Sequence, residues 1–75
     1  ANPNDLAARQ EYALALYAVG ANAEAMAQLL DSIRIERGWN DDAARLQLLE
    51  LFATLGAANP DVIAARRKLS TLLFS

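Results

Sequence analysis

The residue types that carry out most protein chemistry are scarce in this sequence. Its 75 residues include no cysteine and no histidine, which excludes thiolate nucleophiles, imidazole bases and the commonest metal ligands. Asp41 and Asp42 are adjacent, but no second acid at a suitable helical spacing and no glycine-rich phosphate loop accompanies them. The sequence therefore predicts a protein that is not an enzyme and that holds no metal ion or cofactor.

The other concentration of charge is the basic cluster Arg66, Arg67 and Lys68. Residues 61–75 carry a formal charge of +2, whereas residues 1–60 carry −4. The cluster fits a solvated helix face or an electrostatic attraction to an acidic partner protein. Because the protein is acidic, with a pI near 4.8, and no aromatic residues interleave the cluster, we expect no binding to nucleic acid.

Both groups of charged residues are predicted to lie on helices. Ala and Leu fill 30 of the 75 positions, and Val, Ile and Thr fill only seven, which favours helices over strands. Capping residues and helix-terminating glycines delimit four helices. The start signals are Asn2-Pro3, Asn22, Asn40 (with Asp41 and Asp42 in the first turn) and Asn59-Pro60. The helices are predicted to end at about Val19, Arg37, Leu55 and Leu73.

Apolar residues at helical spacing give each predicted helix a buried face. The predicted core residues are Leu6, Ala13, Leu16 and Val19; Ala25, Met26, Leu29, Leu30 and Ile33; Leu46, Leu48, Leu49, Phe52 and Leu55; and Ala65, Leu69, Leu72 and Leu73. Short connections favour antiparallel neighbours. We therefore predict an all-α domain over residues 1–75, built from two antiparallel hairpins at about 3–37 and 40–74. No apolar run is long enough for a membrane span, and no membrane contact is expected.

The two hairpins are related in sequence. Aligning Gly20 with Gly56 gives an offset of 36 residues and pairs Ala13 with Leu49. After the longer second turn, the corresponding pairs are Ala25 with Ala65 and Leu29 with Leu69. This period, with small residues where helices cross, resembles the tetratricopeptide repeat, which implies a right-handed stack of hairpins. The positions assigned to the repeat framework are Ala13, Gly20, Ala25, Leu29, Trp39 and Gly56; Arg9 stands where the repeat usually has Trp, and Arg37 where it usually has Pro.

A more specific resemblance starts at residues 36–45, which read ERGWNDDAAR, and continues through residues 48–52 and 55–56. Together with residues 2–5 and 68–74, this stretch resembles the C-terminal tetratricopeptide region of bacterial thioredoxin-like co-chaperones. The resemblance implies a cytoplasmic stress-response protein that contacts a chaperonin, the Hsp70 system or unfolding clients. It also implies that the chain is a piece of a larger protein with an N-terminal thioredoxin-fold domain.

The resemblance also implies where a partner would bind. In tetratricopeptide arrays the first helix of each unit lines a concave groove; here those positions hold Ala7, Gln10, Leu14, Tyr17 and Ala18, and Ala43, Leu46, Glu50, Ala53 and Thr54. None is cationic, so a carboxylate clamp is not expected, and the groove would accept an apolar segment or helix. The candidate partner-binding residues are Gln10, Leu14, Tyr17, Leu46, Glu50, Arg66, Arg67 and Phe74.

Several alternatives stay open at this level. The groove can equally be covered by the parent protein or by a second copy of the chain, which would make this a structural dimerisation or packing domain. Trp39 fits a spacer between the two hairpins or an exposed anchor for a partner. Phe74 fits either a docking residue or the packed end of the last helix.

Overall fold

The computed structural model describes residues 5–74, and this part of the chain folds into four helices with no strand. They are α1 (Leu6–Ala18), α2 (Asn22–Ile35), α3 (Ala43–Leu55) and α4 (Pro60–Phe74). The predicted all-α architecture is confirmed. The molecule is flat, with principal extents of 34 × 31 × 17 Å, as two layers of helices would give.

Helix α2 is the centre of the packing. Its backbone makes its most extensive contact with that of α1, and it also packs against α3 and α4. The backbones of α3 and α4 contact each other less extensively than either contacts α2. One continuous core joins all four helices; its buried members are Ala13, Ala25, Met26, Leu29, Leu30, Ile33, Ala44, Leu48, Leu51, Phe52, Val62, Ala65 and Leu69. Burial on α2 therefore depends on every other helix.

The turn between α1 and α2 is built as the sequence predicts. Gly20 has φ +83°, a left-handed conformation that costs glycine nothing. The Gly20 amide donates to the carbonyl of Tyr17 at 3.0 Å, and the Ala21 amide donates to that of Leu16 at 2.8 Å. These two bonds form a Schellman motif, which satisfies carbonyls that the end of a helix leaves unpaired. The chain is thereby reversed within three residues.

The predicted start of α4 is confirmed, whereas α1 and α2 do not begin at the predicted capping residues. Asn59 caps α4, because its Oδ1 accepts from the amide of Asp61 at 2.8 Å. The predicted cap at Asn2-Pro3 lies outside the described residues; α1 begins at Leu6, and Asp5 Oδ1 accepts from the Ala8 amide at 3.1 Å. Asn22 is not a cap, since it is the first residue of α2 and Ala21 precedes it with no side-chain capping bond.

The predicted start of α3 at Asn40 is wrong. Asn40, Asp41 and Asp42 have φ of 49°, 55° and 64°, and α3 begins after them at Ala43. The two aspartates therefore do not lie in its first turn. Asn and Asp are favoured both as helix caps and in left-handed turns, so residue type alone does not distinguish the two. Helix α2 also ends at Ile35, two residues before the predicted end.

Because Asp41 is exposed and lies in the left-handed turn, we expect glycine and alanine at this position to have different effects on the free energy of unfolding. Asp41→Gly is expected to maintain the free energy of unfolding or raise it by up to about 1 kcal/mol, because glycine adopts positive φ without strain. Asp41→Ala is expected to lower it by about 1 kcal/mol. Urea denaturation of both variants measures the difference. An alanine variant more stable than the glycine variant would mean that residue 41 is right-handed helical.

Burial shifts the predicted repeat alignment by one residue in the first helices. Ala13 and Leu48 are both almost completely buried, and the offset between them is 35 residues rather than 36. In the second helices, Ala25, Leu29, Ala65 and Leu69 are all buried as predicted.

The core predicted from apolar spacing is only partly confirmed. Three residues assigned to the core are exposed, namely Val19, Leu46 and Leu49, and three buried apolar residues are absent from the predicted core, namely Ala44, Leu51 and Val62. Leu72 and Leu73 are half-buried against the core. The predicted α2 stripe is confirmed at all five positions. Two of the three exposed residues, Leu46 and Leu49, lie on α3, so the face predicted from apolar spacing is least accurate on that helix.

Candidate protein-binding surfaces

The described residues include no cluster of metal-ligating side chains. No group of three or more acidic side chains within residues 5–74 is placed to hold a metal ion. None of the four helices combines the length and the apolar character needed to cross a membrane. The surfaces that remain to be considered are therefore those on which another polypeptide could lie.

The residues predicted to line a groove on α1 and α3 differ in exposure. Leu14 and Leu46 are exposed, at 42% and 52%, and Glu50, four residues after Leu46 on α3, is also exposed. Tyr17 is half-buried and packs against the core. Gln10 is also half-buried, and its Oε1 is buried without a hydrogen-bond partner in the described structure. The two leucines are available to a partner, whereas Tyr17 already has a structural role.

The candidate residues on α4 are all exposed. Arg66 and Arg67 extend from the middle of the helix and are exposed to solvent. Phe74, at the end of α4, is 89% exposed. Trp39 lies in the segment between α2 and α3 and is half-buried. The structure thus leaves an aromatic side chain and two arginines of the predicted set open to contact.

Arg9 forms a polar bridge between α1 and α2 that the sequence analysis did not predict. Its Nη1 donates to Gln28 Oε1 at 2.8 Å and lies 3.6 Å from Asp31 Oδ2. Arg34 approaches the same carboxylate, with Nε 3.6 Å from Oδ1. At the position where the tetratricopeptide repeat usually has Trp, this chain therefore has a polar bridge to the neighbouring helix.

Arg37 joins the segment after α2 to the end of α4. Its Nη2 donates to the carbonyl of Leu72 at 2.9 Å. The last four carbonyls of a helix have no intrahelical partner and lie at the negative end of the helix dipole, so a guanidinium there is stabilising. This contact connects residues 35 positions apart and anchors the C-terminal helix that bears Phe74.

A concave surface that the sequence analysis does not predict lies between α2 and α4. Two adjacent cavities of about 280 and 180 Å³ share Leu30 and Lys68 and together form what we call the α2–α4 groove. Its other lining residues are Ala23, Met26, Ala27, Asp31 and Arg34 on α2, and Asp61, Ala64, Ala65, Thr71 and Leu72 on α4. The lining advances along both helices in the same order, so α2 and α4 run in the same direction.

The sequence predicts a groove only on the first helix of each hairpin, and the candidate residues on α4 do not line the α2–α4 groove, so this groove is not among the predictions. Its sequence signal is a row of small residues, Ala23, Ala27 and Ala64, beside the apolar stripes of α2 and α4. None of the predicted partner-binding residues lines it. Lys68, the third member of the basic cluster, does so at the point where the two cavities meet.

Comparison with known proteins agrees with this architecture. A family model described as tetratricopeptide repeat matches residues 1–74. The curated proteins and the solved structures gave no significant match. Four consecutive helices joined by short connections, parallel α2 and α4, and buried small residues where α1 meets α2 are all expected of that repeat. Because the match covers almost the whole chain, this protein belongs to the tetratricopeptide repeat family.

Proposed function

We propose that the chain is the docking domain of a thioredoxin-like co-chaperone and contacts a chaperonin, an Hsp70 protein or unfolding clients in the cytoplasm. Tetratricopeptide repeats generally mediate protein–protein interactions, and the family match carries that general role to this chain. The specific partners rest on the resemblance of residues 36–45 and 68–74 to such co-chaperones.

The observation that carries the proposal is the amount of apolar surface left open. Seven large apolar side chains are at least 40% exposed in the described structure: Tyr12, Leu14, Val19, Leu46, Leu49, Ile63 and Phe74. Isolated exposed apolar residues are ordinary on a protein surface. Seven such side chains are many for a domain of this size, and one of them, Phe74, is 89% exposed. This exposure supports contact with apolar segments of another polypeptide.

The proposal is tested by using the chain as bait in a bacterial lysate, with light scattering on the same sample. We expect a monomeric bait to recover chaperonin or Hsp70, identified by mass spectrometry. Phe74→Ala is expected to reduce the recovered chaperone at least fivefold, as loss of an aromatic hot spot would, with a cost of about 1 kcal/mol or more. The fold is not expected to change, because Phe74 contributes little to the core.

The matched control is Val19→Ala, which removes an exposed apolar side chain at the far end of α1. Recovery similar to that of the unmodified chain is expected, since Phe74 is among the candidate partner-binding residues and Val19 is not. Unchanged recovery by Phe74→Ala would remove Phe74 from the docking surface. An empty pull-down from a stable dimer would contradict the proposal and favour a structural dimerisation domain.

A further inference from the structure

We infer that the α2–α4 groove is a second docking surface, and that its occupant is an amphipathic helix with an acidic residue in the middle of its apolar face. This goes beyond the proposed function, because none of the groove residues belongs to the surface on which that function rests. The inference depends on the length of the groove, the small residues along it and the position of one unpaired cation.

The dimensions of the groove fit a peptide segment. On α2 the lining extends from Ala23 to Arg34, and on α4 from Asp61 to Leu72. At 1.5 Å per residue, each wall is about 16 Å long, which equals about three turns of a helix. The two cavities join at Leu30 and Lys68, so a single elongated occupant can fill both.

The walls favour a helix over an extended strand. α2 and α4 satisfy their own backbone groups, so they offer no row of free amides and carbonyls to which a strand could add. The small side chains of Ala23, Ala27 and Ala64 allow another helix to approach closely, and Leu30 and Leu72 supply apolar contact. Helix-in-groove binding uses apolar anchors at three- and four-residue spacing, which such walls would accept.

The positive charge of Lys68 is the reason to expect an acidic residue in the helix that occupies the groove. Within residues 5–74, the ammonium of Lys68 makes no hydrogen bond or ion pair. Asp31, by contrast, already contacts Arg9 and Arg34, both at 3.6 Å. Lys68 lies at the junction of the two cavities, so a carboxylate at the middle of the occupant would meet it, while Asp61 lies near one end of the groove and would repel an acid placed there.

The test uses the full chain and a synthetic peptide. The probe is an acetylated, amidated helical peptide of about 14 residues, with leucines at three- and four-residue spacing and one central glutamate; its control has glutamine at that position. We expect the glutamate peptide to bind about fivefold more tightly than the glutamine peptide by fluorescence anisotropy at low salt. Lys68→Gln should remove this preference, and Lys68→Arg should retain it.

Two matched controls separate the groove from general electrostatics. Arg67→Gln removes the same charge from the neighbouring position, which does not line the groove, and is expected to keep most of the preference. Ala64→Glu places a carboxylate in the groove and should weaken binding of the glutamate peptide at least tenfold. Ala53→Glu makes the same change on the exposed side of α3 and should change that binding only slightly. Equal loss with Arg67→Gln and Lys68→Gln would overturn the inference.

The oligomeric state distinguishes a second copy of the chain from a separate helix as the occupant of the groove. We expect light scattering to give a monomer before peptide is added. A dimer that Ala64→Glu converts to monomer would identify a second copy of the chain as the occupant and overturn the inference of a separate acidic helix. Capture of chaperonin without binding of the glutamate peptide would support the proposed function and contradict this inference. Binding of the glutamate peptide without capture of a chaperone would support this inference and contradict the proposed function.

Discussion

Leu29→Ala is expected to lower the free energy of unfolding by about 3–5 kcal/mol. Leu29 is completely buried on α2, the helix that packs against the other three. Truncation removes apolar contacts and leaves a cavity, and completely buried leucines give the larger values in the range of about 2–5 kcal/mol. For 75 residues, typical stabilities amount to about 4–11 kcal/mol. The variant should therefore lose a large fraction of its stability, with a melting temperature lower by more than 10 °C, as about 4–8 °C per kcal/mol implies.

The matched control for this experiment is Leu46→Ala, which makes the same chemical change on α3. Leu46 is 52% exposed, so its truncation is expected to change the free energy of unfolding by less than about 0.5 kcal/mol. Urea denaturation followed by far-UV circular dichroism gives both values. Comparable losses at the two positions would contradict the burial assigned to α3, because the sequence alone placed Leu46 in the core as well.

Much of the fold was predictable because helix ends carry local signals. Asn59-Pro60 starts α4 and Gly20 reverses the chain after α1, and in both cases hydrogen bonds between near neighbours determine the conformation. The stripe of α2 was also predictable, since its apolar residues recur without interruption. Where one residue type serves two conformations, as Asn40 does, the choice depends on how α3 packs against α2, and local sequence does not contain that information.

The candidate surfaces were less predictable than the helices. To predict a groove, one must know which two helices lie side by side. The parallel arrangement of α2 and α4 brings together residues far apart in sequence, such as Leu30 and Lys68. The contact of Arg37 with the Leu72 carbonyl is equally distant. In α1 and α3, by contrast, an error of one residue rotates a helix by about 100°, which is enough to move Leu49 from the predicted core to the surface.

Ala13→Leu is expected to lower the free energy of unfolding by about 3 kcal/mol, at the upper end of the range for overpacked cores. Ala13 is 1% exposed and Ala25 is completely buried, on the two helices whose backbones contact each other most extensively. Three additional carbons at that position must displace α1 from α2 or adopt strained rotamers. The control is Ala15→Leu on the exposed side of the same helix, for which a change below about 0.5 kcal/mol is expected.

The value of this comparison lies in the second hairpin, where Leu48 occupies the position equivalent to Ala13 and is itself completely buried. The same side chain is therefore accommodated in α3 and should not be accommodated in α1. We attribute the difference to helix packing, because the backbones of α3 and α4 contact each other less extensively than those of α1 and α2 do. If Ala13→Leu proved as stable as Ala15→Leu, the small residue would not be what sets the α1–α2 distance. The two hairpins would then differ for a reason other than the size of the side chain at this position.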